Sequence, residues 1–174
     1  MRDPIAMTAQ YPDSIRYKRR FHNLCSEPLE AYFSERRLKP EMFATSCTAC
    51  WRGYRAIWAI RHGRLYLDWI SPWPWPGRGS AAATKAESEE LFQRSLSAIF
   101  PGATAPVFAE WFSGELGLWP RKFLRDVLLG YEWLSECEVV LLVERGRVIG
   151  EKPKANEPAG GYEIPSFLRK TPLP

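Results

Sequence analysis

The chain reads as an α+β fold: an antiparallel β-sheet built from hairpins, with about two packed helices, in a single domain. Three observations predict it. Two β-rich runs flank His62-Gly63 and two more flank Arg145-Gly146, and an X-Gly dipeptide between such runs is a hairpin-turn signal. Two segments, opening at Ser26-Glu27-Pro28 and at Thr84-Lys85-Ala86-Glu87, carry helix-start signals. No strand–helix–strand rhythm runs along the chain, so strands that follow one another join by tight turns.

Taken in order, residues 1–20 are polar, with a basic cluster at Arg16, Lys18, Arg19 and Arg20. Ile15, Tyr17 and Phe21 alternate there, which predicts a short strand or an arm. The first helix follows Pro28, with Leu29, Tyr32 and Phe33 at i, i+3, i+4 as its apolar stripe. Arg36 and Arg37 suit its negative C-terminal end, and Pro40 closes it. Cys50–Ile60 and Arg64–Ile70 form the first clear hairpin. A two-residue turn places Ile60 opposite Leu65, Trp58 opposite Leu67 and Ala56 opposite Trp69, so that one side of the ribbon is wholly apolar. Ser71–Ser80 is a Pro/Gly loop holding Trp73 and Trp75, which no helix or central strand accommodates. The second helix buries Leu91, Phe92, Leu96, Ile99 and Phe100 and stops at Pro101-Gly102. Residues 107–119 alternate around Gly114 and read as a bent strand or a second hairpin. In the last hairpin Val143 faces Val148 and Leu142 faces Ile149. Residues 1–152 therefore make the domain, and 153–174 a Pro/Gly-rich tail too poor in apolar residues to fold alone.

Composition bounds the function classes. At 174 residues, with 45 % hydrophobic and 25 % charged, the chain is long enough to bury roughly 70 % of its unfolded surface, which excludes a disordered chain or a fibre. No run approaches the ~20 apolar residues that span a bilayer, so no membrane association is expected. The N-terminal residues lack the apolar core of a secretion signal, which leaves a cytoplasmic location and reduced thiols as the expectation. The net charge of +4 is uneven: residues 1–78 carry +6 and 79–174 carry −2. That layout steers an acidic partner, but it lacks the dense basic stripe of a dedicated nucleic-acid binder.

Catalytic vocabulary is scarce. There is no phosphate-cradling glycine loop and no dinucleotide fingerprint. The two histidines, His22 and His62, sit beside no cysteine in sequence, and a Cys–His pair needs such a neighbour in space. Glu110 and Glu115 bracket Trp111-Phe112-Ser113-Gly114; on a straight strand they face opposite ways, and only a bulge at Gly114 brings them together as an acid/base pair. Cys47-Thr48-Ala49-Cys50 has metal-ligand spacing, and Cys25 and Cys137 are the residues that would complete a zinc site. Those two are single and distant, however, so inert thiols are the other reading; no metal and no cofactor are expected. Binding chemistry is better supplied. Arg52, Tyr54 and Arg55 set two guanidiniums beside aromatic rings, the composition of an interface anchor, and Trp73 and Trp75 in a proline loop form a rigid aromatic platform.

The stretches Pro28-Leu29-Glu30-Ala31-Tyr32-Phe33, Trp51-Arg52-Gly53-Tyr54, Leu65-Tyr66-Leu67, Trp111-Phe112-Ser113-Gly114 and Glu138–Gly146 resemble, in that order, a group of small bacterial proteins with no established activity. The resemblance covers roughly residues 12–152, implies a shared fold and carries no catalytic residues. The chain departs from the group's pattern around 119–136. The function expected from these readings is a non-enzymatic binding protein whose partner is another protein, of immunity or accessory type. The alternatives are an enzyme with a cleft on the sheet around Arg52, Arg55, Glu110 and Glu115, and a single-stranded nucleic-acid binding module using the basic N-terminal half.

Overall fold

The computed structural model describes residues 11–44, 48–73, 84–120 and 139–152. Strands β1 (Asp13–Tyr17) and β2 (Arg20–Leu24) precede helix α1 (Pro28–Arg36), and β3 (Tyr54–Arg61) and β4 (Arg64–Pro72) precede helix α2 (Lys85–Ile99). Then come β5 (Val107–Phe108), β6 (Gly114–Pro120), β7 (Val139–Glu144) and β8 (Arg147–Lys152). The α+β class with two helices and a mostly antiparallel sheet is as expected. Its construction from hairpins alone is not. The strands run β3-β1-β2-β6-β7-β8-β4, and β3 pairs with β4 as well, so seven strands close into a barrel with β5 attached to β4. Among the described residues β1 and β3 are the one parallel pair, with Ile15 beside Trp58. Closure removes the edges that an open stack of hairpins would leave unpaired. The pairings that close it, β1–β3, β2–β6 and β4–β8, join segments far apart in sequence, which hairpin signals do not report.

Three hairpins turn through two residues with positive φ: Lys18-Arg19, His62-Gly63 and Arg145-Gly146. That is the mirror-image turn whose twist matches the flanking strands. Two register expectations need correction. Ile60 faces Leu65 and Trp58 faces Leu67 as expected, but Ala56 faces Ile70 instead of Trp69, because Asp68 is an extra residue in β4. Val143 faces Val148, but Leu142 faces Gly150 because Ile149 is extra in β8. Each extra residue bends and twists its strand, as curving a sheet into a barrel requires. Ile149 is accordingly an exposed apolar side chain. The first hairpin also begins later than expected: Cys50–Gly53 is a turn, and the strand starts at Tyr54.

The barrel is filled by one continuous core that includes Ile15, Leu24, Trp58, Leu65, Leu67, Leu116, Leu118 and Leu141. Helix α1 adds Leu29, Tyr32 and Phe33 to it, and α2 adds Phe92, Leu96 and Ile99. Thr84 and Glu87 form a reciprocal capping box at the start of α2. Helix α2 lies against β4, where Phe92 stacks on Trp69. The tail 153–174 lies outside the described residues.

Candidate functional site

Helix α1 presents Tyr32, Glu35 and Arg36 on one face, the spacing of one helical stripe. Opposite them lie Phe100 at the end of α2, Val107 and Phe108 of β5, Glu110 and Trp111 of the following turn, and Arg145 of the β7–β8 turn. Together they line a groove of about 540 Å³. Its floor is aromatic. Tyr32 meets Phe100 and Trp111 with ring centroids 5.0 and 4.9 Å away, and Phe100 stacks on Trp111 at 5.2 Å. Trp111 is pinned from behind, its Nε1 donating to the Pro28 carbonyl at 2.9 Å.

The rim is charged. The Arg36 guanidinium lies 4.6 Å from the Tyr32 ring centroid, a cation–π contact that fixes a flexible side chain on the groove wall. Arg145 donates to Glu110 at 2.6 Å, an exposed pair worth little to stability but oriented at the opening. Two turns are locked together to make this wall. The Arg145 backbone N–H donates to the Ser113 hydroxyl and that of Gly146 to the Phe112 carbonyl. Gly146 has φ +73°, and a Cβ there would lie 2.6 Å from the Ala109 carbonyl oxygen. Glycine is therefore required where the β7–β8 turn touches the loop carrying Trp111.

Of the residues expected to bind, Arg52, Tyr54 and Trp73 gather around Gly53, mostly away from solvent. Asp13, fully buried, accepts from Arg52 at 3.1 Å, from the Ala56 N–H at 2.9 Å and from Trp58 Nε1 at 3.1 Å. Arg52 also donates to Glu27 at 2.9 Å and to the Tyr11 carbonyl at 2.7 Å. Burial raises the Asp13 pKa, against the pull of Arg52 and the two other donors. Burial works against the Arg52 charge as well, and Asp13 and Glu27 more than offset it, so its pKa is raised. Tyr54 has no exposed surface. The Arg52–Asp13 pair thus ties the 50–53 turn to β1 and α1. Arg55 is half-buried, donating to the Pro12 carbonyl at 3.4 Å, and half-buried Trp73 packs on Tyr11 at 4.7 Å. Trp75 lies outside the described residues.

Glu110 and Glu115 do not form a carboxylate pair: the first is held by Arg145, the second by Lys152 at 2.6 Å. Cys25 is exposed and Cys50 buried, its thiol raised in pKa by burial; Cys47 and Cys137 lie outside the described residues. Among the described residues no three His, Cys, Asp or Glu side chains are grouped to hold a metal ion, and no helix is long and apolar enough to cross a membrane.

Sequence reasoning did not find the groove. Tyr32 and Phe100 read as core and Arg36 as a dipole partner, while Trp111 and Arg145 lie in turns whose contact is long-range. The i, i+4 spacing of Tyr32 and Arg36 is the one local signal of it. No family model, curated protein or solved structure matches the chain.

Proposed function

We propose that the chain is a non-enzymatic binding protein that takes a segment of another protein into the groove between α1 and the β5–β6 and β7–β8 turns. The observation that carries this reading is the combination of four aromatic rings, Tyr32, Phe100, Phe108 and Trp111, with Arg36 and Arg145 at the opening. Aromatic and arginine side chains are the residue types that concentrate binding energy at protein interfaces: the rings bury much area for few frozen torsions, and arginine adds a forked set of donors and stacks on aromatic faces. The groove is wide enough for one or two partner side chains, with the Arg145–Glu110 pair and the Arg36 charge at its lip to orient them. The half-buried Arg55 and Trp73 belong to a second surface of the same residue types.

The test is photo-crosslinking in the native cell. A photoreactive phenylalanine analogue placed at position 36 or 108 is expected to capture a discrete protein, whereas the same analogue at exposed Arg94 on α2 captures none. Adducts at position 36 that contain RNA, or a protein pattern identical at all three positions, would overturn the reading.

A further inference from the structure

A row of arginines crosses the barrel wall beside the groove. The β3–β4 hairpin ends with Arg61 opposite Arg64, and β4 meets β8 with Arg64 opposite Arg147. Arg147 in turn stands opposite Glu144 of β7. Laterally paired residues project to the same face of a sheet, so these four side chains share one face across four strands. Arg16 of β1 joins them through Asp68, whose carboxylate receives Arg61 at 2.7 Å and Arg16 at 3.3 Å. These named side chains comprise four guanidiniums and two carboxylates, and one of those carboxylates is shared. Arg64 and Arg147 are exposed, and among the described residues neither has a carboxylate within ion-pair distance. The Arg64 guanidinium is held 5.8 Å from the Phe108 ring centroid.

Like charges directly opposite on paired strands are unfavourable. Here they face each other across the seam that closes the barrel, flanked by the Leu65 N–H to Gly146 carbonyl bond and the Val148 N–H to Gly63 carbonyl bond, both 2.8 Å. An oxyanion placed between them reverses the sign of the interaction, and the forked donors of arginine match the oxygens of a phosphate group. We propose that Arg64 and Arg147 form a phosphate-binding site on the barrel wall. It stands apart from the groove's partner reading and shares only Phe108 with it.

The experiment is calorimetric titration with pyrophosphate at constant ionic strength, with chloride as the balancing anion. Saturable binding is expected, and the double variant Arg64→Gln/Arg147→Gln should weaken it by about tenfold or more, while Arg94→Gln leaves it unchanged. Without anion the double variant should melt no lower than the parent, since the like-charge contact is gone, and pyrophosphate should raise the parent's melting temperature alone. Absence of saturable binding, or equal binding by the double variant, overturns the proposal. Should the double variant fold poorly, Arg64→Lys decides: it keeps the charge and loses the fork, so unchanged binding counts against the site. A short oligothymidylate separates the sources of the phosphate. Competition with pyrophosphate that needs Arg64 and Arg147 assigns the site to a nucleic-acid backbone; failure to compete assigns it to a free phosphate compound.

Discussion

Removing the Asp13 carboxylate breaks the buried half of the Arg52 ion-pair set, leaving the guanidinium to Glu27 and the Tyr11 carbonyl, and it strands the Ala56 and Trp58 N–H donors, so it is among the costliest point defects. Asp13→Ala is expected to lose about 3–5 kcal/mol of stability, measured by urea denaturation. Gly53 shows the same dependence on close fit. Its φ is +72°, and a Cβ would fall 1.7 Å from the Phe43 carbonyl oxygen, so no side chain enters without moving backbone. Single residues of this kind are poorly legible in sequence. Arg52 and Tyr54 have the composition of a surface anchor, and only the arrival of Asp13, 39 positions earlier, turns the arginine inward. Arg36 fails in the opposite sense: its position at the end of α1 is a sufficient local explanation and hides its place in the groove.

The two helices carry their instructions locally and were legible for that reason. Pro28 opens α1, and Arg37 in a left-handed conformation ends it. At α2 the capping box makes a pH prediction. Hydrogen bonds from the Thr84 backbone and hydroxyl lower the Glu87 pKa below 4.5. Its contribution is therefore complete above the unfolded value and disappears as pH falls through the lower folded one. Glu151, lowered by Tyr17 and Lys18, follows the same sign where it holds the β1–β2 turn to β8. Amide exchange at the first turn of α2 is expected to accelerate below about pH 4 relative to its last turn, after correction for intrinsic rates. Thr84→Ala should cost about 1 kcal/mol at neutral pH, by chemical denaturation, and abolish that acid component. The strands were only half legible, because alternation and turn dipeptides locate a hairpin but cannot reveal an inserted residue such as Asp68 or Ile149.

For the whole molecule the barrel is the main departure from expectation, and its weakest joint follows from the topology. β3 and β4 share a long ladder, whereas β4 and β8 meet at the single register pair of Arg64 and Arg147. Local opening should start there. Hydrogen exchange is expected to be faster at the Leu65 and Val148 amides, which bridge the seam, than at buried amides in the middle of the β3–β4 ladder such as Trp58 and Ala59. Equal protection at both places would mean that the ring opens only as a unit. The charge asymmetry read from composition also takes a shape: the basic N-terminal half supplies Arg16, Arg61 and Arg64 to one wall of the barrel, beside the groove.

The position of β7 and β8 in the ring bears on how the protein is made. They are the last described strands to leave the ribosome, yet they join β6 to β4. Throughout synthesis the six strands before them can form only an unclosed sheet, bordered by β6 on one side and by β5 with the uncovered start of β4 on the other, and both borders still seek hydrogen-bonding partners. For that interval the nascent chain is adhesive, and it becomes self-contained only when the β7–β8 hairpin arrives.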